Sequence, residues 1–187
     1  MLIICEGEKT EPNYFRDLKN HFGLSSANIA IADKLKRNDP LGLVNHAEEI
    51  YKRDPDLDRV FCVFDRDDHS NFDQALAKIQ GLKTRKRHWV PIEAIVSCPC
   101  FEFWILLHFQ YTTQPFVDCN QVIGTLKKHL SDYSKSSTRV FDQTKDALDA
   151  AIERGKMVQS HHGFKDHRNN PSTTVHSLAE YLIHLKE

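Results

Sequence analysis

Five consecutive apolar residues, Val60-Phe61-Cys62-Val63-Phe64, run directly into Asp65-Arg66-Asp67-Asp68. A run without polar alternation has no face to offer water, so it predicts a strand buried on both sides, as in a parallel sheet covered by helices. The carboxylates that follow then lie where that strand ends.

The neighbouring segments alternate between two periodicities. Leu2–Cys5 is strand-like, and Tyr14, Phe15, Leu18 and Phe22 then recur at helical spacing, with Thr10 as the expected cap and Pro12 in the first turn. Asn28–Ala32 predicts a short strand. Leu43, Val44, Ala47, Ile50 and Tyr51 predict a helix closed by Asp54-Pro55. Phe72, Ala75, Leu76, Ile79 and Leu82 predict another, and Trp89–Val96 a further strand. Strand and helix in alternation imply an α/β fold with a mostly parallel sheet flanked by helices. Beyond residue 100 the pattern becomes helical: Phe101–Phe109, Val122–Leu130, Thr144–Val158 and Thr174–Leu185, with polar loops at Ser131–Arg139 and Ser160–Ser172. One domain is expected, residues 1–187, with a 1–110 α/β core and a 111–187 helical extension packed on it.

With 25 basic and 26 acidic residues, the chain has no global field to attract nucleic acid or an anionic surface, so a polyanion must meet a local patch. No apolar run is long enough to cross a bilayer and no signal-like start is present, which predicts a soluble, cytoplasmic protein. Of five cysteines, Cys5 and Cys62 lie in apolar runs, so reduced core thiols are expected rather than a disulfide frame. Cys98-Pro99-Cys100 has no second pair with which to complete a zinc site.

Carboxylates close two strands: Glu6-Gly7-Glu8 after the first, and Asp65-Arg66-Asp67-Asp68 after the strongest. Side chains alternate along a strand, so Asp65 and Asp67 point to one side. If the two strands are neighbours, Glu6 meets Asp65 across 59 positions. Rigidly held oxygen ligands suit Mg²⁺ or Mn²⁺, which bind substrate phosphates through their remaining positions. The Gly-Lys-Thr of residues 7–10 is no nucleotide loop, because it has one glycine and flanking carboxylates that would repel a bare phosphate.

Glu6-Gly7 closing one strand and Asp65-x-Asp67 closing another resemble the Toprim domain of primases, topoisomerases and OLD-type nucleases. Four strings in order, "CEGEKTEPNYF", "VFDRDDH", "SCPCFEFWILLHF" and "NNPSTTVHSL", resemble the RloB family, a Toprim-like group found in restriction and phage-defence gene neighbourhoods. Two features depart from that pattern: no basic lead-in precedes the first strand, and Cys98 stands where Asn is expected. The resemblance implies that Glu6, Asp65 and Asp67 are the metal-binding and catalytic acids, with Glu8, Lys9 and Asp68 as family-like additions.

Further candidates surround this core. Glu102 is expected either to reach the same edge as a metal ligand or to favour a helix start through the macrodipole. Lys9 is placed to hold a phosphate oxygen. Lys83, Arg85, Lys86 and Arg87 form the densest basic run, and Lys135 and Arg139 a smaller one beside Tyr133, which is offered as a base-stacking ring. His161, His162 and His167 lie in a polar loop without helical metal spacing, and Asn170-Pro171-Ser172-Thr173 reads as a capped helix entry whose helix buries Val175, Leu178, Leu182 and Leu185. Phe101, Phe103, Trp104, Leu106 and Leu107 read as core.

The expectation is therefore a Mg²⁺- or Mn²⁺-dependent nuclease of nucleic acid in phage defence or restriction, with an ATPase partner and a homodimer left open. The competing readings are a non-catalytic defence module and an Asp-x-Asp phosphatase. The second is disfavoured because its motif belongs on a first strand, followed by Thr or Val where this chain has His69.

Overall fold

The computed structural model describes residues 1–24, 39–66, 69–82, 90–162 and 169–185, together with the backbone of 28–31. The chain runs β1 (Leu2–Cys5), α1 (Thr10–Phe22), β2 (Asn28–Ile31), α2 (Pro40–Arg53), β3 (Val60–Asp65), α3 (Phe72–Gly81) and β4 (Ile92–Cys98). It continues through α4 (Glu102–Leu107), α5 (Cys119–Leu126), α6 (Val140–Thr144), α7 (Leu148–His162), β5 (Ser172–Thr173) and α8 (Val175–His184).

The sheet order is β2-β1-β3-β4-β5. The first four strands are parallel, and β5 pairs antiparallel with Ser97 and Cys98 of β4. β3 is central, which explains its unbroken apolar run. Its side chains divide by the period of two: Phe61 and Val63 enter one core, and Val60, Cys62 and Phe64 the other. The first core, with Ile3, Cys5 and Ile95, also contains residues of α1, α4 and the C-terminal helices, including Leu178 and Leu182. The second packs Leu2, Ile4 and Val96 against α2 and α3. The helical end thus shares a core with the sheet.

The chain leaves β1 toward β2 on one side and returns to β3 on the other. Neighbouring strands whose connections diverge leave a crevice at their carboxyl ends, where α/β folds bind ligands. Glu6 and Asp65 stand at that crevice.

Several expected elements shift. β4 begins at Ile92; Pro91 has no N–H for the ladder and instead accepts from Val60 N (2.8 Å) through its carbonyl, while Trp89 lies outside the described residues. Thr144–Val158 divides into α6, a 3₁₀ turn at Lys145–Ala147, and α7, which runs on through His162 and so takes His161 and His162 out of the expected loop; His167 is outside the described residues. Residues 172–173 form β5 on the way into α8: Thr174 exchanges main-chain and side-chain hydrogen bonds with Val96 and the Thr173 hydroxyl bonds Ser97 Oγ (3.0 Å), while Thr173 Oγ1 also accepts from Val175 N (3.2 Å), so the expected capped entry to the helix is made by a residue that belongs to the sheet. Val175, Leu178 and Leu182 are buried as expected, but Leu185 follows the helix and is 41 % exposed. Thr10 does not cap α1; its hydroxyl donates to the Lys135 carbonyl (2.9 Å).

The reduced core thiols expected at Cys5 and Cys62 are found, both free and buried like Cys98, but the expectation that no disulfide frames the chain is corrected at one place: Cys100 and Cys119 form a disulfide across the starts of α4 and α5. The 19-residue separation leaves no sequence cue for that pairing. Among the described residues, no helix is long and apolar enough to cross a membrane.

Candidate metal centre

Glu6 continues β1 by one residue, its N–H donating to the Val63 carbonyl (2.9 Å). That register brings the end of β1 beside the end of β3. Asp65 N donates to Glu6 Oε2 (3.2 Å), and His69 Nε2 lies 3.1 Å from Glu6 Oε1. Asp65 is the last residue of β3, held opposite Ser97 of β4.

Two more carboxylates come from helix starts. Glu11 lies in the first turn of α1 and is 8 % exposed; Glu102 opens α4 and is 2 % exposed. Both therefore face inward at positive helix ends, where the macrodipole favours negative charge. Tyr133 donates its hydroxyl to Glu102 Oε1 (2.8 Å), and Cys119 Sγ lies 3.2 Å from Oε2.

Glu6, Glu11, Asp65 and Glu102 line a cavity of about 370 Å³ with Gly7, Glu8, Lys9, Thr10, His69 and Lys135. Crowding of like charge out of water raises the pKa of two of these acids, Asp65 and Glu11. Burial, followed by the charges of Glu11, Glu102 and Glu6, holds Asp65 well above the usual carboxylate range. Burial raises Glu11 from 4.5 to about 7, Glu102 adding to the rise while a backbone hydrogen bond and Lys135 oppose it. Burial and the Glu102 carboxylate likewise push the Tyr133 hydroxyl up.

Clustered buried carboxylates that repel one another are costly unless protonated or paired with a cation. Hard oxygen donors from rigid strand and helix ends around a polar cavity fit Mg²⁺ or Mn²⁺. A second group, Cys100, Glu102 and Cys119, has ligand atoms within 4.8 Å of one another. Its sulfurs are bonded together and so are not thiolates, which removes the soft ligands a zinc site needs.

Of the expected acids, Glu6, Asp65, Glu8 and Glu102 reach the cavity, as does Lys9. Asp67, Asp68, Lys83, Arg85, Lys86 and Arg87 lie outside the described residues. Lys135, expected in a separate basic patch, lines the acidic cavity itself, whereas Arg139 borders a second cavity of about 420 Å³. Tyr133 is 4 % exposed and bonded to Glu102, so it is a support for the carboxylate and not a stacking ring. Glu11 and His69 were not singled out by the sequence. The available signal for Glu11 was its place in the first helical turn beyond Gly7, which also describes an ordinary macrodipole carboxylate.

Fold and site together define an α/β protein with an acidic cavity at the divergence of two parallel strands. The profile of the RloB-like protein family matches residues 1–182, and the chain belongs to that family. No curated protein and no solved structure matched the chain.

Proposed function

We propose that this RloB-like protein is a Mg²⁺- or Mn²⁺-dependent nuclease of the Toprim kind, hydrolysing phosphodiester bonds in nucleic acid. The observation that carries this reading is the convergence of Glu6, Glu11, Asp65 and Glu102 on one cavity at the carboxyl edge of the sheet. These four would hold the ion, with Asp67 as a further ligand by its place after β3, and Glu8 and Asp68 nearby in sequence. A bound divalent ion supplies charge that polarises water and the scissile phosphate. Lys9 and Lys135, both exposed at the cavity wall, are positioned to contact phosphate oxygens that the carboxylates alone would repel. Tyr133 and the β1–β3 register fix the carboxylates before substrate arrives, so little reorganisation accompanies reaction.

Resemblance to restriction- and defence-associated relatives supports a role in phage defence, with an ATPase partner gating activity in the cytoplasm. The test is incubation of purified protein with Mn²⁺ or Mg²⁺ and a panel of transfer RNA, single-stranded DNA and duplex DNA, beside Glu6→Ala and Asp65→Asn. Cleavage by wild type alone supports the reading. Equal inertness of all three proteins, also with a candidate ATPase present, favours a non-catalytic binding module.

A further inference from the structure

The Ser131–Arg139 loop lines both cavities. On one side Lys135 borders the acidic cavity, and on the other Ser131, Tyr133 and Arg139 border the second. The loop is tied to the metal centre at two points, by Thr10 Oγ1 donating to the Lys135 carbonyl and by Tyr133 donating to Glu102. Its turn is preformed: Ser137 N donates to the Ser134 carbonyl (2.9 Å), and Ser134 N to Ser137 Oγ (3.0 Å). A ligand spanning the two cavities therefore meets a fixed wall.

That wall is cationic where the metal centre is anionic. Residues 127–139 hold Lys127, Lys128, Lys135 and Arg139, all exposed, against Asp132 alone. The next carboxylate along the chain, Asp142, lies 3.8 Å from Arg139 Nε and 3.6 Å from Lys145 Nζ, so the Arg139 guanidinium, whose side chain is 81 % exposed, keeps donors free for an anion. Beside it the exposed His129 lies flat on Phe109, centroids 5.0 Å apart and planes 8° from parallel, with His129 Nε2 3.2 Å from Gln110 Oε1. An aromatic pair held in place next to exposed cations is the combination that takes unpaired bases and their phosphates.

We infer that single-stranded nucleic acid flanking the scissile phosphate runs from the acidic cavity over Lys135 into the second cavity, with a base stacked on His129 and a phosphate held by Arg139. This rests on the phosphodiesterase reading for its starting point and adds the path and strandedness of the substrate. Duplex bases are stacked on one another and have no face for His129.

The test uses the full chain and a fluorescein-labelled single-stranded oligonucleotide, with a hairpin duplex as comparator, followed by fluorescence anisotropy in EDTA so that no turnover intervenes. His129→Ala combined with Arg139→Ala is expected to weaken single-strand binding about tenfold or more, with the duplex affected less. Arg139→Ala alone lowers the slope of log affinity against log salt by about 0.7. His129→Phe retains a stacking ring and restores affinity, which a merely unfolded loop would not permit. With Mn²⁺, the double variant's kcat/KM on the oligonucleotide relative to bis(p-nitrophenyl) phosphate falls by the same factor. Wild-type affinity, salt slope and ratio in the variants overturn the path. If wild-type protein hydrolyses neither diester, the nuclease reading fails, and the anisotropy series still decides the path by itself.

Discussion

Gly7 faces the Glu11 carboxylate so closely that a methyl group at position 7 would overlap both of its oxygens. The glycine is thus required by the side chain four residues later, and its absent Cβ is the space that lets Glu11 turn toward Asp65 and Glu102. Gly7→Ala is expected to displace the carboxylate rather than unfold the chain, because the obstruction is the end of a flexible side chain. Calorimetric titration with Mn²⁺ should read a loss of affinity of about tenfold or more, with the far-ultraviolet spectrum retained.

Glu11 makes metal-free stability depend on pH. In the unfolded chain it loses its proton near 4.5, but in the folded protein only near 7. Between those values the folded state binds more protons, so metal-free stability falls as pH rises from about 4.5 to 7, and burial of Asp65 acts in the same direction. Thermal unfolding in EDTA should show Glu11→Gln gaining on wild type as pH rises. Saturating Mn²⁺ should reverse that order at neutral pH.

His108 imposes the opposite slope in acid. Its Nδ1 lies 3.1 Å from the Trp104 carbonyl and its Nε2 3.1 Å from the Tyr14 hydroxyl, an arrangement that suits a neutral ring donating at Nδ1 and accepting at Nε2. Burial lowers its pKa from 6.5 to about 4, against the two backbone hydrogen bonds. The unfolded chain therefore takes up this proton first, and stability drains away between about pH 6.5 and 4, by about 3 kcal/mol in all. Urea unfolding of His108→Phe should show a flatter acid limb together with a lower plateau, since Tyr14 loses its buried partner.

Much of the frame was legible because periodicity reports burial. The runs at Leu2–Cys5 and Val60–Phe64 have no polar face, and the structure buries them on both sides of the sheet. Glu6 and Asp65 followed from those strand ends. What periodicity does not carry is the meeting of distant segments. Glu11 looks like any first-turn acid until Gly7 and the cavity are seen together, and Tyr133 looks like a loop aromatic until its hydroxyl is found on Glu102. The two residues of β5 are too few to show an alternation, and their pairing with β4 depends on hydroxyls 76 positions away.

Tyr133 offers a separate test of the support given to Glu102. Tyr133→Phe removes the 2.8 Å donor from a buried carboxylate, at a cost of about 1–3 kcal/mol in metal-free protein. The cost should shrink when Mn²⁺ is bound, because the ion replaces the lost donor. Denaturant unfolding with and without Mn²⁺ reads the difference.

If the carboxylates of two strand ends and two helix starts form one cation site, a divalent ion bound there touches both Glu6 and Asp65. Crystals soaked in Mn²⁺ and measured for anomalous scattering test it most directly. A peak is expected in the cavity between Glu6 and Asp65, lost in Asp65→Asn. No peak there at saturating Mn²⁺, or one that persists unchanged in Asp65→Asn, would contradict it.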